Sequence, residues 1–210
     1  MRRLASLLLF SILTATAACS QSPSPATPAQ GTPRPNLYAC EGCEAVYDHP
    51  EGDLDWQLTI PPEDEPGEVL VLTGRVFKPD ETTPAPGVIL YVHHTNAEGL
   101  YPQRGGEAGW GRRHGYLHGW LKTDAGGRYR ITTIRPAPYP NASLPAHIHL
   151  YVGEPERRPY YIDDVVFEDD PWVTDRYRDA AENRGGSGII ALMLDDDDTW
   201  RGTHDIVLEW

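Results

Sequence analysis

"TDAGGRYRITTIRPAPYPNASLPAHIHLYV", residues 123 to 152, leads from a glycine turn through a strand-like segment and a proline-punctuated loop into a second strand-like segment. In "RYRITTI" (128–134) and "AHIHLYV" (146–152) β-branched and aromatic residues dominate, which is the composition of a half-buried pleated surface. The turn Asp124 to Gly127 is structural, because glycine there permits the hairpin backbone. Successive side chains of a strand point to opposite faces, so His147 and His149 share one face and Ile148 and Leu150 the other. Two imidazoles placed roughly 7 Å apart at the backbone can converge on one ion. Such a pair alone is a weak signal, since it occurs in copper, zinc and iron proteins and also without a metal. Tyr139, held between Pro138 and Pro140, is restrained in backbone just ahead of the strand, where its phenol can reach the same point.

The same punctuation continues outward. "EVLVLTGRVF" (68–77), "GVILYVHHT" (87–95), "YIDDVVF" (161–167), "GIIALML" (188–194) and "HDIVLEW" (204–210) read as short strands separated by Gly, Pro, Asp and Asn. Only "TDRYRDAAENRGG" (174–186) reads as a helix, stopped by Gly185 and Gly186. The expected fold is mainly β: an antiparallel or mixed β-sandwich with long, function-bearing loops and at most one short helix. Tyr101 in "TNAEGLYPQ" leaves the end of the 87–95 strand, with Gly99 permitting a tight turn. Asp195 to Asp198 lacks the glycine and terminal glutamate of a calcium loop and reads as a solvated hairpin turn before Trp200.

The chain opens with "MRRLASLLLFSILTATAACS": two arginines, a short apolar run, then small residues up to Ala18. This predicts an export signal over 1–18, with lipid on Cys19 in the manner of a bacterial lipobox. Residues 19–36, rich in Pro, Ser, Thr and Ala, form a flexible tether, and 37–210 a single domain. The expected location is periplasmic or cell-surface, with the membrane met only through the lipid. In an oxidising compartment Cys40 and Cys43 of "CEGC" favour a disulfide. A redox motif lacks its thioredoxin-like flanks, and a zinc site including His49 stays incomplete. A net charge of −13 excludes a nucleic-acid backbone as partner. The C-terminal "HDIVLEW" segment is an edge strand able to pair with a second copy of the chain.

Taken in order, "LTGRVF" (72–77), "AEGLY" (97–101), "TDAGGRYRITTIRPAPYP" (123–140), "PAHIH" (145–149) and "FEDDP" (167–171) resemble the intradiol ring-cleavage dioxygenases, the family of catechol and protocatechuate 3,4-dioxygenases. The resemblance implies a β-sandwich holding one non-haem Fe(III) on Tyr101, Tyr139, His147 and His149. Those residue types suit the ion: phenols that normally ionise near pH ~10 lose their protons to a hard, acidic cation and offset its charge. The implied reaction cleaves a catechol between its two hydroxyl-bearing carbons with O2, giving a muconate-type diacid, with Tyr101 released to act as a base.

Three positions depart from the family pattern and mark the expected substrate pocket. Leu144 stands where the family has an arginine, Asp164 where it has a glutamine, and His93 where it has a tryptophan. Arg104, Arg112, Arg113 and Arg135 are the candidates to supply the missing cation, and His94, His114 and His118 cluster near the same segment. A different class of function, a sandwich module that binds an aromatic or a metal without oxidising it, rests on Leu144 and Asp164. A copper or zinc protein built on the histidine pair is the third reading, and the paired phenols oppose it.

Overall fold

The computed structural model describes residues 40–60 and 64–209; the expected leader, Cys19 and tether lie outside these residues. In chain order the first strands are β1 (Gln57–Thr59), β2 (Val69–Phe77), β3 (Ile89–His94), β4 (His118–Lys122), β5 (Arg128–Ile134) and β6 (His147–Gly153). They continue with β7 (Tyr160–Tyr161), β8 (Val165–Phe167), β9 (Ile189–Ile190), β10 (Leu192–Leu194), β11 (Trp200–Thr203) and β12 (Ile206–Val207). Two short helices, α1 (Gly111–His114) and α2 (Asp175–Ala180), and a 3-10 turn over Cys43–Tyr47 complete the described elements.

Two six-stranded sheets form, one ordered β1-β5-β2-β11-β10 with β12 also on β2, the other β4-β3-β6-β8-β9 with β7 also on β6. Both are mixed: β2 runs antiparallel to β5 and parallel to β11 and β12, and in the second sheet β6 is antiparallel to β3, β7 and β8 while β8 runs parallel to β9. The layer between the sheets is closed by alternate residues, Leu70 and Leu72 of β2 and Ile131 of β5 on one side. Leu90 and Val92 of β3 and Ile148, Leu150 and Val152 of β6 pack from the other. Among the described residues no helix is long and apolar enough to cross a membrane.

The second sheet is also covered on its outer face. There Tyr91 of β3 and Tyr151 of β6 pack with Ala45, Val46 and Cys43 of the 3-10 turn, and a disulfide joins Cys40 to Cys43. The Trp120 indole N–H of β4 donates to the Ala45 carbonyl at 2.7 Å and fastens this cover to the sheet edge. Strands β3 and β6 therefore have no solvent face along their middle.

Strands β1, β4 and β11 are not evident from the composition of "QLT", "HGWLK" and "WRGT", which include polar residues and two glycines. Packing decides them: Leu58 of β1 lies against Gly119 of β4, where an added Cβ would come within 2.8 Å of the end of the leucine side chain and push it aside. The segment read as one strand over 161–167 is broken into β7 and β8 by Asp163, whose amide donates to the Arg184 carbonyl and whose carboxylate accepts from the Asn183 amide. The helix expected over 174–186 is capped by the Thr174 hydroxyl, which accepts from the Tyr177 amide, and stops at Ala180 because Ala181 is already extended. Asp195–Asp198 makes the turn between antiparallel β10 and β11. The C-terminal segment read as an edge strand lies along the end of β2 as β12, with Leu208 donating its amide to the Phe77 carbonyl.

Because Leu150 is almost fully buried between the sheets directly behind the histidine face, Leu150→Ala should lower stability by about 2–5 kcal/mol. Equilibrium urea unfolding reads this; a loss within the roughly 0.5 kcal/mol typical of surface changes would contradict the assigned packing.

Candidate metal centre

The outer face of β6 and two loops bring four side chains to one point. His147 and His149 leave β6 on the same side, their rings edge-to-face with centroids 4.6 Å apart. Tyr139 arrives from the loop after β5 and Tyr101 from the loop after β3. These two loops are stitched together: the Thr95 hydroxyl donates to the Ala137 carbonyl at 2.7 Å, and the Ala137 amide donates to the Asn96 carbonyl at 3.1 Å. The Asn96 side-chain oxygen folds its own loop by accepting from the amides of Glu98 and Leu100, each at 3.0 Å. Gly99 has φ +76°, and a Cβ there would lie 2.1 Å from the Pro138 carbonyl oxygen, so only glycine lets the loops touch.

The polar atoms then meet. Tyr101 Oη and Tyr139 Oη are 2.7 Å apart, Tyr139 Oη is 3.2 Å from His147 Nε2, and Tyr101 Oη is 3.1 Å from His149 Nε2. The other ring nitrogens are already engaged. His147 Nδ1 is 2.7 Å from the Pro145 carbonyl oxygen, and His149 Nδ1 is 2.8 Å from Asp164 Oδ1. An acceptor at Nδ1 fixes the proton there and leaves the Nε2 lone pair for the cluster. The Ala146 amide, just before the histidines, donates to Asp170 Oδ2 at 2.8 Å, which anchors the start of the strand.

The electrostatics favour a cation among these atoms. Burial first, and then the hydrogen bond and prospective charge of Tyr139, hold the Tyr101 phenol above the ordinary tyrosine value. Tyr139 is also raised by burial, with partial relief from its hydrogen bond to Tyr101. Two buried phenols in contact cannot both ionise unless a strongly positive group stands between them. Burial and then the neighbouring His149 lower the His147 pKa, which keeps that ring neutral and able to ligate. Two imidazole nitrogens and two phenol oxygens fit a hard trivalent ion better than a soft one. His147, His149 and Asp164 also offer atoms within 4.8 Å of one another, the pattern of a two-histidine, one-carboxylate site. The Asp164 bond to His149 Nδ1, the nitrogen turned to the carboxylate and not to the phenols, makes Asp164 the orienting partner of a ligand.

The other residues singled out from the sequence divide. His93 pairs across the strands with His149 and stacks on it, ring centroids 4.3 Å apart, while its other face lies on His114 at 3.8 Å. Burial first, then the surrounding histidines, take His93 well below the ordinary histidine value, so it is a neutral wall of the site. His114 joins the Tyr91 hydroxyl at 2.8 Å, His94 bonds Thr133 at 2.6 Å, and His118 bonds the Gly115 carbonyl at 2.6 Å, three structural roles. Leu144, expected at the substrate pocket, is 47% exposed.

None of the nominated arginines is aimed at the centre by its contacts. Arg135 holds Asp169 at 2.7 Å, Arg104 lies over the Tyr116 ring and near Glu65, Arg113 pairs with Glu41, and Arg112 is exposed. The cation that the reading by sequence passed over is Arg184. It is buried, it stacks on Tyr161 at 3.7 Å, and it lines a cavity together with Asp164. Its signal was the "NRGG" turn, which resembles an ordinary helix stop until α2 is seen to end four residues earlier.

A family profile described as Dioxygenase matches residues 46–209. The protocatechuate 3,4-dioxygenase beta chain of Burkholderia cepacia is 37% identical over 108 residues, 47% of this chain and 46% of that protein, so the match spans about half the length of this curated relative. Among solved structures, the dioxygenase domain of a dioxygenase carbohydrate-binding protein fusion from Streptomyces sp. SirexAA-E superposes with a TM-score of 0.57 at 23% identity, covering 76% of this chain and 92% of that one. Catechol 1,2-dioxygenase from Acinetobacter sp. ADP1 gives a TM-score of 0.57 at 22% identity, covering 75% and 58%. At those identities the likeness is one of fold, the two-sheet sandwich described above.

Since Asp164 fixes the ring nitrogen and orientation of His149, Asp164→Ala should weaken metal retention by about 10- to 100-fold while leaving the fold intact. Chelator competition against wild type measures this, with circular dichroism as the control. Unchanged retention would remove Asp164 from the centre.

Proposed function

The chain belongs to the intradiol ring-cleavage dioxygenase family, and we propose that it opens a catechol-type ring between its two hydroxylated carbons with O2, using Fe(III) held by Tyr101, Tyr139, His147 and His149. The observation that carries this reading is the meeting of two phenol oxygens and two Nε2 atoms within 2.7 to 3.2 Å, with both Nδ1 atoms already bonded. Bound there, Fe(III) supplies the Lewis acidity that ionises the phenols and draws electron density from the diol, making the ring reactive toward O2.

The chain's own groups do the rest. His147 and His149, locked at Nδ1, present fixed lone pairs and hold the geometry. Tyr139, between two prolines, is the constrained phenol. Tyr101, on the glycine-turned loop, is the phenol assigned to accept a catechol proton at Oη, with His149 Nε2 at 3.1 Å as its neighbour. The stacked His93 and His114 close one wall with neutral rings and keep water from the histidine face. The products are a muconate-type diacid and no released oxygen atom.

Purified without chelators, the protein should hold one iron per chain and show a visible tyrosinate-to-iron absorption. Tyr139→Phe should lose most of that colour and retain iron less well, because one anionic ligand is gone. Oxygen uptake with catechol, and mass analysis of the product, test the reaction. A colourless, fully iron-loaded protein overturns the ligand set, and a coloured protein that binds catechol without consuming O2 is the non-catalytic binding module instead.

We further propose that the mature chain is exported and tethered by lipid on Cys19, supported by "TAAC" and the Pro/Ser/Thr/Ala stretch behind it. Mass spectrometry of the membrane fraction should find an acylated N-terminal cysteine. An unmodified Cys19 in a freely released protein excludes the tether.

A further inference from the structure

Two cavities share Tyr161 and Asp164 as walls, and one of them reaches His149. One, of about 270 Å³, is lined by His149 itself with Tyr151, Tyr161, Asp164 and the Cys40–Glu41 segment. The other, of about 260 Å³, shares Tyr161 and Asp164 with the first and extends between β8, α2 and the turn before β9. An apolar cavity of about 150 Å³ already accommodates benzene, so each has room for one substituted ring.

The far cavity has a distinct chemistry. Its apolar walls are Ile162, Ile189 and the ring of Tyr177. At its end sits the Arg184 guanidinium, 8% exposed and stacked on Tyr161 at 3.7 Å. Nη2 is 2.5 Å from Glu182 Oε2, but Nε and Nη1 have no hydrogen-bond partner; Asp163 Oδ1 lies 3.8 Å from Nε. Buried donors left unpaired are costly, and a buried charged donor more so. Backbone bonds hold the arginine in place: its carbonyl accepts from the Asp163 amide at 3.0 Å, and the next residue's carbonyl accepts from the Val207 amide at 2.9 Å.

Charge decides what can pair with it. Asp163, Asp164 and Glu182 all line this cavity, and Arg184 is the only cation lining it among the described residues. A carboxylate entering here would meet three negative groups and one positive group already bonded to one of them. A neutral hydroxyl suits the lining better, since it accepts from the guanidinium and donates to a carboxylate at once. Resting on the ring-cleavage reading above, we propose that this cavity is a subsite for a second, neutral, hydroxylated aromatic ring of the substrate, whose catechol ring is held at the four-residue centre and whose linker passes His149 and Asp164. The substrate class is a neutral two-ring catechol, in preference to catechols bearing a carboxylate.

The test uses the iron-loaded chain with three probes: catechin, a neutral catechol joined to a second hydroxylated ring; catechol; and protocatechuate. Anaerobic calorimetry gives Kd, and oxygen uptake gives kcat/KM, for wild type, Arg184→Leu and the cavity-filling Ala181→Phe. In wild type catechin should bind about tenfold or more tighter than catechol, with protocatechuate weakest. Both variants should cut the catechin-to-catechol ratio by about tenfold, the scale of one hydrogen bond to a charged group. If Arg184→Leu does not fold, Ala181→Phe decides. No preference for catechin in wild type, a preference for protocatechuate, or equal losses on all probes overturns the subsite. Ring cleavage without the preference removes the subsite and keeps the parent reading. Selective catechin binding without ring cleavage does the reverse.

Discussion

Strand β6 is buried on both faces, and the rest of the site depends on that constraint. Ile148, Leu150 and Val152 enter the layer between the sheets, while His147, His149 and Tyr151 stand on the opposite face. A slip of one residue in the pairing with β3 would push the histidines into the apolar layer and the aliphatic side chains out of it. Each aliphatic side chain contributes roughly 1.5–3 kcal/mol when buried, so three of them together hold the register against the cost of crowding neutral imidazoles behind them. The partner strand repeats the division: Leu90 and Val92 face the core, and Tyr91 and His93 pair with Tyr151 and His149. Donor direction at the centre is therefore set by hydrophobic packing one layer away.

The phenols come from loops, which packing positions less tightly, and hydrogen bonds take over there. The Asn96 side chain curls one loop, the Thr95 hydroxyl and Asn96 carbonyl tie it to the other, and Gly99 allows contact. The prolines flanking Tyr139 remove conformational freedom before any ion binds, which lowers the entropy lost on assembling the site. Histidine orientation is settled by hydrogen bonds as well, to one backbone carbonyl at His147 and one carboxylate at His149.

Much of this was legible in the sequence because the signals are local. The two-residue period places both histidines on one face from their spacing alone, and glycine and proline mark the phenol loops. Strands β2, β3, β5 and β6 are the long ones, rich in aliphatic and aromatic residues, and they appear where the pattern puts them. What was not legible depends on distant partners. Strand β4 has a weak pattern and forms because Leu121 finds the core and Trp120 finds the Ala45 carbonyl. The hold of Asp164 on His149 is not announced by the sequence, because the two lie 15 positions apart. Arg184 looked like part of a helix end, because nothing near it in sequence announces Tyr161 as the surface it lies on.

Charge links these layers. The chain carries −13 overall, and near the site its arginines are matched to carboxylates: Arg135 to Asp169, Arg113 to Glu41, Arg184 to Glu182. A site that recognises an anionic substituent needs a cation whose charge is not already compensated, as well as one placed within reach. Leu144 offers no such charge, and Arg135, Arg104 and Arg113 are each engaged with a carboxylate. Arg184 carries donors without partners but not uncompensated charge, since Glu182 and Asp163 flank it. Unpaired donors in a charge-balanced setting select for acceptor atoms on neutral groups, whereas uncompensated charge selects for anions. On that distinction the cavity beside Asp164 is matched to the hydroxyls of an extended phenol, and the carboxylates that screen its arginine are what exclude the acid.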